Sequence, residues 1–162
     1  MDFTIRTVQQ SDNSHLAEVI RSCFHDFGAP TKGTVYEDPT TDDLFSLFKT
    51  EKSILFVADF KGNAIGCCGL FPTSGLENNT VELVKFYLAK EFRNKGIGKK
   101  LFETCLIEAQ KLGFHYVYIE SLPEFSAAVD LYIAYEFHHL DKPLGNSGHT
   151  GCNIWMKKKL HV

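Results

Sequence analysis

The chain has no apolar stretch approaching the ~20 residues needed to span a bilayer, so a membrane partner is not expected. Its start, Met1-Asp2-Phe3-Thr4-Ile5-Arg6, lacks the basic-then-apolar layout of a secretion signal. Cysteine is sparse: the five residues at 23, 67, 68, 105 and 152 form no CxxC pair, and an odd number is no disulfide framework. A reducing, cytoplasmic setting is the expectation. The seven histidines show no H-x-x-H or HExxH spacing. His138 and His139 would point to opposite faces of a strand, so no metal site is expected. Positive charge is not in excess, with 17 Lys+Arg against 20 Asp+Glu, a net charge of −3 and a pI near 6.1. That sets nucleic-acid binding aside. Neither an internal repeat nor a Pro/Ser/Gly linker divides the sequence, and residues 1–162 are expected to form one domain. What the chain does have is 14 Phe and 6 Tyr, enough for an aromatic core.

Periodicity then orders the elements. Thr4–Val8 alternates like a strand. Ser11 and Asp12 offer N-caps to a helix with Leu16, Val19, Ile20, Cys23 and Phe24 on one face, stopped by Gly28. The polar segment Ala29–Pro39 reads as a mobile loop, and a short helix is expected over Thr41–Lys49. Ile54–Ala58 and Ala64–Phe71 flank a hairpin turn at Lys61-Gly62-Asn63. In the long strand Thr80–Ala89, alternation puts Glu82, Val84, Phe86 and Leu88 on one face and Val81, Leu83 and Tyr87 on the other. Apolar residues on both faces indicate a covered central strand, among which the carboxylate of Glu82 is out of place. A helix follows over Gly96–Leu112, with Gly113 as its stop, and then a strand over His115–Glu120. Ser121-Leu122-Pro123-Glu124 resembles a capping box opening a helix that ends near Tyr135. Phe137–Leu140 and Cys152–Lys158 close the chain as an antiparallel pair. The expected class is α/β (α+β), in the order β-α-α-β-β-β-α-β-α-β-β, with a mixed central sheet that is antiparallel first and parallel across the central strand–helix–strand unit.

One segment carries chemistry. Lys85–Lys100 holds six Lys/Arg against the single acid Glu91, leaving the remainder of the chain at −8. Inside it, Arg93-Asn94-Lys95-Gly96-Ile97-Gly98 joins the central strand to a helix N-terminus. Glycines there let consecutive N–H groups converge, and free amides with the helix dipole favour an anion such as a di- or polyphosphate. A Gly-containing turn beside a solvated basic helix face is the plainer alternative. The P-loop pattern fails twice, at Arg93 and Lys100. The Rossmann pattern starts at Gly96 and Gly98 but has Leu101 at its third position, with Glu120 at a tolerable distance for ribose binding, so a nucleotide-binding enzyme stays a weak rival.

Arg93-x-x-Gly96-x-Gly98, with Glu82 eleven residues before the Arg, resembles the acetyl-CoA-binding core of the Gcn5-related N-acetyltransferase (GNAT) family. Leu131-Tyr132-Ile133-Ala134-Tyr135-Glu136-Phe137 is similar to the family's L-Y-x-x-x-G-F, with Glu136 replacing Gly. The family's Asn seven residues before that Tyr is Phe125 here.

The resemblance implies a GNAT-like mixed sheet and transfer of an acetyl group from acetyl-CoA, as co-substrate, to a primary amine by direct attack. The amides of Arg93, Asn94, Lys95, Gly96, Ile97, Gly98 and Lys99 would hold the pyrophosphate. The backbone of Phe86, Tyr87 and Leu88 would pair with pantetheine as an added strand, where the central strand splays from its parallel neighbour. Glu82 would be the general base and Tyr132 the acid that protonates the leaving thiolate. The acceptor would be a small-molecule or peptide amine, recognised by Ala29–Pro39 and Gly145–Gly151. There, His149 could contact substrate or act as a second base, although a plain flexible hairpin loop is the simpler expectation. A homodimer through the last strands is common among such proteins. The rival from another class is a catalytically inactive acyl-CoA-binding sensor or structural subunit, against which an intact Glu82 and Tyr132 weigh.

Overall fold

The structure, a computed structural model, describes residues 1–161; Val162, the last residue of the expected domain, lies outside the described residues. Seven strands form one mixed sheet: β1 Thr4–Thr7, β2 Ile54–Phe60, β3 Asn63–Phe71, β4 Thr80–Leu88, β5 Tyr116–Ser121, β6 His138–His139 and β7 Ile154–Lys159. Their order across the sheet is β1-β2-β3-β4-β5-β7-β6. Neighbours are antiparallel except β4 and β5, which are parallel and joined by the helix α3, Ile97–Lys111. The expected mixed architecture and element order are therefore present.

Both faces of the sheet are covered. The stripe Leu16, Ile20 and Phe24 on α1 (Asn13–Phe27) buries against Val57 and Cys67 on one face. Ile97, Leu101, Phe102, Cys105 and Ala109 on α3 bury against Leu70, Val81 and Val117 on the other. Asp12 precedes α1, yet its carboxylate accepts from Arg6 and from the Gln9 amide rather than capping the helix. The second expected helix shrinks to a 3-10 turn, Pro39–Asp42, and the four residues of α2, Leu44–Leu47.

Strand β4 breaks the expected alternation. Cys67 pairs with Tyr87 while Gly69 pairs with Val84, so β4 carries one extra residue. Lys85 stands there in left-handed backbone at φ 55. This β-bulge exchanges the faces of every later residue. Val84 and Tyr87 lie on the α1 face, whereas Phe86 and Leu88 lie with α3, so Phe86 and Leu88 do not share a face with Glu82. Pairing of β4 with β5 covers only Thr80–Glu82 and stops there, although both strands continue. The two strands part at Glu82.

Two further expectations are corrected. No capping box forms at Ser121, because β7 claims it as the last residue of β5, opposite Ile154. A turn closed by the Phe125 amide on the Leu122 carbonyl intervenes, and α4 runs Ser126–Ala134. The Gly-rich loop before β7 is docked: Gly151 N donates to Gly33 O and Asn146 N to Ser74 O, both at 2.7 Å. That binds it to the Ala29–Pro39 segment, where Thr34 is itself buried.

The end of α4 fixes Tyr132. Phe137 N donates to Tyr132 O and Glu136 N to Ile133 O, each at 3.0 Å, the paired bonds of a Schellman motif. The Tyr132 and Phe137 rings meet at 5.9 Å, the apolar contact that accompanies it. The left-handed position falls on Glu136, at φ 68. For an L-residue that conformation costs roughly 1–2 kcal/mol. The compensating contacts with Lys158 and His161 are solvated and weak. Glu136→Gly should therefore raise Tm in a thermal melt by about 1–4 °C, the strain relief being partly offset by a freer unfolded chain. A lowered Tm would show that the Lys158 and His161 contacts outweigh the strain.

Candidate active site

The segment between β4 and α3 is a cup of amides. Asn94 at φ 62 and Gly96 at φ 83 turn the chain so that Gly96 caps α3. Lys100 N begins the helix ladder by donating to Gly96 O at 3.1 Å. The amides of Asn94, Lys95, Gly96, Ile97, Gly98 and Lys99 have no protein acceptor among the described residues. Arg93 differs from the expectation: its amide donates to Lys90 O at 3.3 Å, leaving nothing for a phosphate. Its guanidinium also turns inward, donating to Leu88 O, Cys23 Sγ and Asp26 Oδ2 and lying 4.5 Å from the Phe27 ring centre. Arg93 braces the loop. Ile97 is fully buried under α3 and offers only its amide, while Lys95 is solvent-exposed.

From this cup an open groove of about 640 Å³ runs along β4, lined by Phe86, Tyr87, Leu88, Arg93, Asn94, Gly96, Gly98 and Lys99. Ala89 N donates to Ile65 O across the sheet. Strand alternation therefore turns the polar groups of Leu88 the other way; its carbonyl accepts from Arg93 and Cys23, and its N–H faces the edge that β5 has left open. The groove leads to an inner cavity of about 80 Å³ between the parted strands, and Phe86, Tyr87, Phe125 and Ala128 line both. Phe125 stacks edge-on against Phe24 at 5.2 Å and walls this passage.

Glu82 and Tyr132 both line the inner cavity. Glu82 is 3% exposed. Burial pushes its carboxyl up to about 8; the Thr73 hydroxyl, donating to Oε1 at 2.6 Å, pulls the other way, and Glu120 adds to the rise. The Thr73 bond to Oε1 is the one side-chain hydrogen bond that Glu82 makes among the described residues. The Tyr132 ring packs on Phe102, Phe137 and Phe86 at 5.6, 5.9 and 6.4 Å. Burial holds its phenol above the ordinary range, so it stays protonated.

Several polar residues of the cavity had no catalytic mark in the sequence, which offered Glu120 only for ribose binding and Lys85 only as the start of a basic segment. Lys85, Glu120 and Cys152 line it, together with the His149 already singled out. His149 Nε2 donates to Asp38 Oδ2 at 2.7 Å. Burial opposes the charge on Asp38, but hydrogen bonds from Thr40 and His149 outweigh it and hold the carboxyl down to about 2. Burial pushes the Cys152 thiol up to about 12. Glu120 accepts from the Tyr118 and Ser147 hydroxyls. The bulge was the missing signal: Lys85 was counted with the basic loop, whereas the bulge turns it into the cavity. Among the described residues no cluster of His, Cys, Asp and Glu could hold a metal ion, all five cysteines are free thiols, and no helix is long and apolar enough to cross a membrane.

Comparison with known proteins agrees with this geometry. The acetyltransferase (GNAT) family profile matches residues 16–137. The uncharacterized N-acetyltransferase YjgM of Escherichia coli strain K12 is 31% identical over 157 residues, spanning 96% of this chain and 94% of that protein. A GNAT-family acetyltransferase from Staphylococcus aureus Mu50 superposes with a TM-score of 0.86, at 22% identity, over 99% of this chain and 100% of its own. The Salmonella typhimurium protein yncA, solved with its cofactor acetyl-CoA, superposes with a TM-score of 0.75, at 16% identity, over 100% of this chain and 96% of its own. At those identities the two structures speak to the fold, while the profile and the E. coli relative speak to descent. The chain belongs to the GNAT acetyltransferase family.

Proposed function

We propose that the chain, as one domain, transfers an acetyl group from acetyl-CoA to a primary amine by direct attack. The observation that carries this is the continuous passage from six unpartnered amides, past the open edge of β4, to Glu82. A pyrophosphate suits the amides of Asn94–Lys99 and the positive end of α3. Pantetheine suits the free edge of Phe86–Leu88, completing a strand that β5 abandons. The thioester then lies between the parted strands, where an N–H at the open edge polarises its carbonyl as negative charge develops.

The amine arrives as an ammonium with a pKa of ~10.4 and must lose a proton before attacking. Glu82, titrating at about 8, accepts that proton once ionised. Nitrogen attacks the carbonyl carbon and the C–S bond breaks. Tyr132 meets the charge growing on sulfur with its phenolic proton. A covalent acyl-cysteine route is disfavoured, because the Cys152 thiol is held protonated by burial.

Three experiments test this reading. Gly98 has room for a Cβ, its nearest neighbour being a Phe86 ring carbon at 3.6 Å, so charge can be separated from bulk. Gly98→Asp should weaken calorimetric acetyl-CoA binding at least ~10-fold by placing an anion beside the pyrophosphate, whereas Gly98→Ala should raise Tm through its better helix propensity. Equal affinity of the Asp variant and wild type would move the cofactor elsewhere.

Wild-type turnover should rise with pH through about 8, as Glu82 ionises. Glu82→Gln should cost ~10²–10⁴-fold at neutral pH and recover partly at high pH, where free amine is plentiful. Linkage supplies an independent readout. A carboxyl whose folded pKa lies above its unfolded value costs stability as pH rises from ~4.3 to about 8. Glu82→Gln should therefore melt higher than wild type at pH 9 and close to it at pH 5. A loss of turnover under about twofold at every pH makes Glu82 structural.

The Tyr132 ring supplies its packing on Phe102, Phe137 and Phe86, so Tyr132→Phe removes a donor without breaking the core. Turnover should fall ~10-fold or more with acetyl-CoA affinity and Tm nearly unchanged. Unchanged turnover would leave solvent or His149 to protonate the thiolate.

A further inference from the structure

Lys85 takes no part in the chemistry above, yet its position is expensive. Its side chain is 4% exposed and lines the inner cavity beside Glu82. Gly or Asn would occupy its left-handed backbone at φ 55 with less strain, so the lysine there has a side chain to deliver. Asp38 Oδ2 stands 4.0 Å from Nζ, beyond hydrogen-bond range. That oxygen already accepts from His149, and Oδ1 accepts both the amide and the hydroxyl of Thr40. Burial opposes the charge on Nζ while the Asp38 and Glu82 carboxylates favour it, and among the described residues Nζ makes no hydrogen bond, only the loose ion pair with Asp38. An ammonium at 4% exposure with only that loose ion pair has donors left for a second anion.

The other charged groups of the cavity are occupied, with one exception. Glu120 is held by Tyr118 and Ser147. Glu82 has one side-chain hydrogen bond, from Thr73 to Oε1. The cavity therefore presents a loosely paired cation and a carboxyl with that single side-chain bond, close enough that each affects the titration of the other. Resting on the acetyl-transfer reading, we propose that the acceptor is a small free amino acid, its carboxylate docked on Lys85 and its amine presented to Glu82. A diamine or polyamine would leave Lys85 with only its loose ion pair and set a second cation against it. A lysine side chain on a protein surface would bring no carboxylate into a space of about 80 Å³.

The test is a thiol-release assay with a panel of free amino acids, each beside its carboxamide and its decarboxylated amine. Wild type should favour the amino acid by at least ~10-fold in kcat/KM over both analogues, because they leave Lys85 with only its loose contact to Asp38. Lys85→Met keeps the length of the side chain and removes the charge; the ratio between amino acid and amine should collapse to within about threefold, whatever happens to the absolute rates. Turnover of the decarboxylated amines as efficient as that of the amino acids, in wild type alone, overturns the proposal and leaves acetyl transfer standing. Absence of thiol release with every amine instead defeats the acetyl-transfer reading. Calorimetry of the same amino acids against the CoA-saturated protein then decides the docking: binding that Lys85→Met abolishes supports it, and no binding by wild type overturns it.

Discussion

The extra residue in β4 governs the layout of the molecule. Placing Lys85 in left-handed backbone inside a sheet costs roughly 1–3 kcal/mol and persists only where surrounding contacts over-determine it. Here α1 covers one face of β4 and α3 the other, so the strand cannot relax into a regular ladder. In exchange the bulge lets one strand do two jobs. Before it, β4 pairs with β5 and buries Glu82; after it, β4 presents Phe86 and Leu88 to the helix that carries the amide cup.

Much of this was legible in the chain. The strand–loop–helix unit stood out because helical and strand periods change sharply at Gly96, and because six basic residues crowd a loop in an otherwise acidic protein. Glu82 was visible as a carboxylate in an apolar strand, and the end of the last helix near Tyr135 in the run Leu131–Phe137. Periodicity could not reveal the bulge, since it leaves no compositional trace: a lysine in left-handed backbone spells the same as a lysine in a strand. For that reason the faces of Phe86 and Leu88 came out reversed. The capping pattern at Ser121 was overridden by strand pairing with β7, a long-range contact that outranks a local preference. Asp38, Glu120 and His149 come from three separate segments, and only folding makes them neighbours of Lys85.

The inner cavity also separates two electrostatic regimes a short distance apart. At the outer end, exposed Lys95, Lys99 and Lys100 surround the amide cup in high dielectric, where their field is long-ranged and weakened by salt. At the inner end, Glu82 and Lys85 are almost dry, and each feels its nearest neighbours far more than the solvent. On the proposed reading, a cofactor would be gathered by one kind of field and an acceptor sorted by another.

Arg93, the first residue of the loop motif, spends its guanidinium on Leu88, Cys23, Asp26 and the Phe27 ring rather than on an anion. The ordering entropy of the amide cup is consequently met when α1 docks against β4, before any ligand arrives. On the proposed reading, association would need no conformational search by the loop, and diffusion and charge steering would set its rate. The same brace would make the first helix, remote in sequence from the cup, part of the proposed binding apparatus. A disturbance that loosens α1 would surface as weakened grip on a phosphate it never touches.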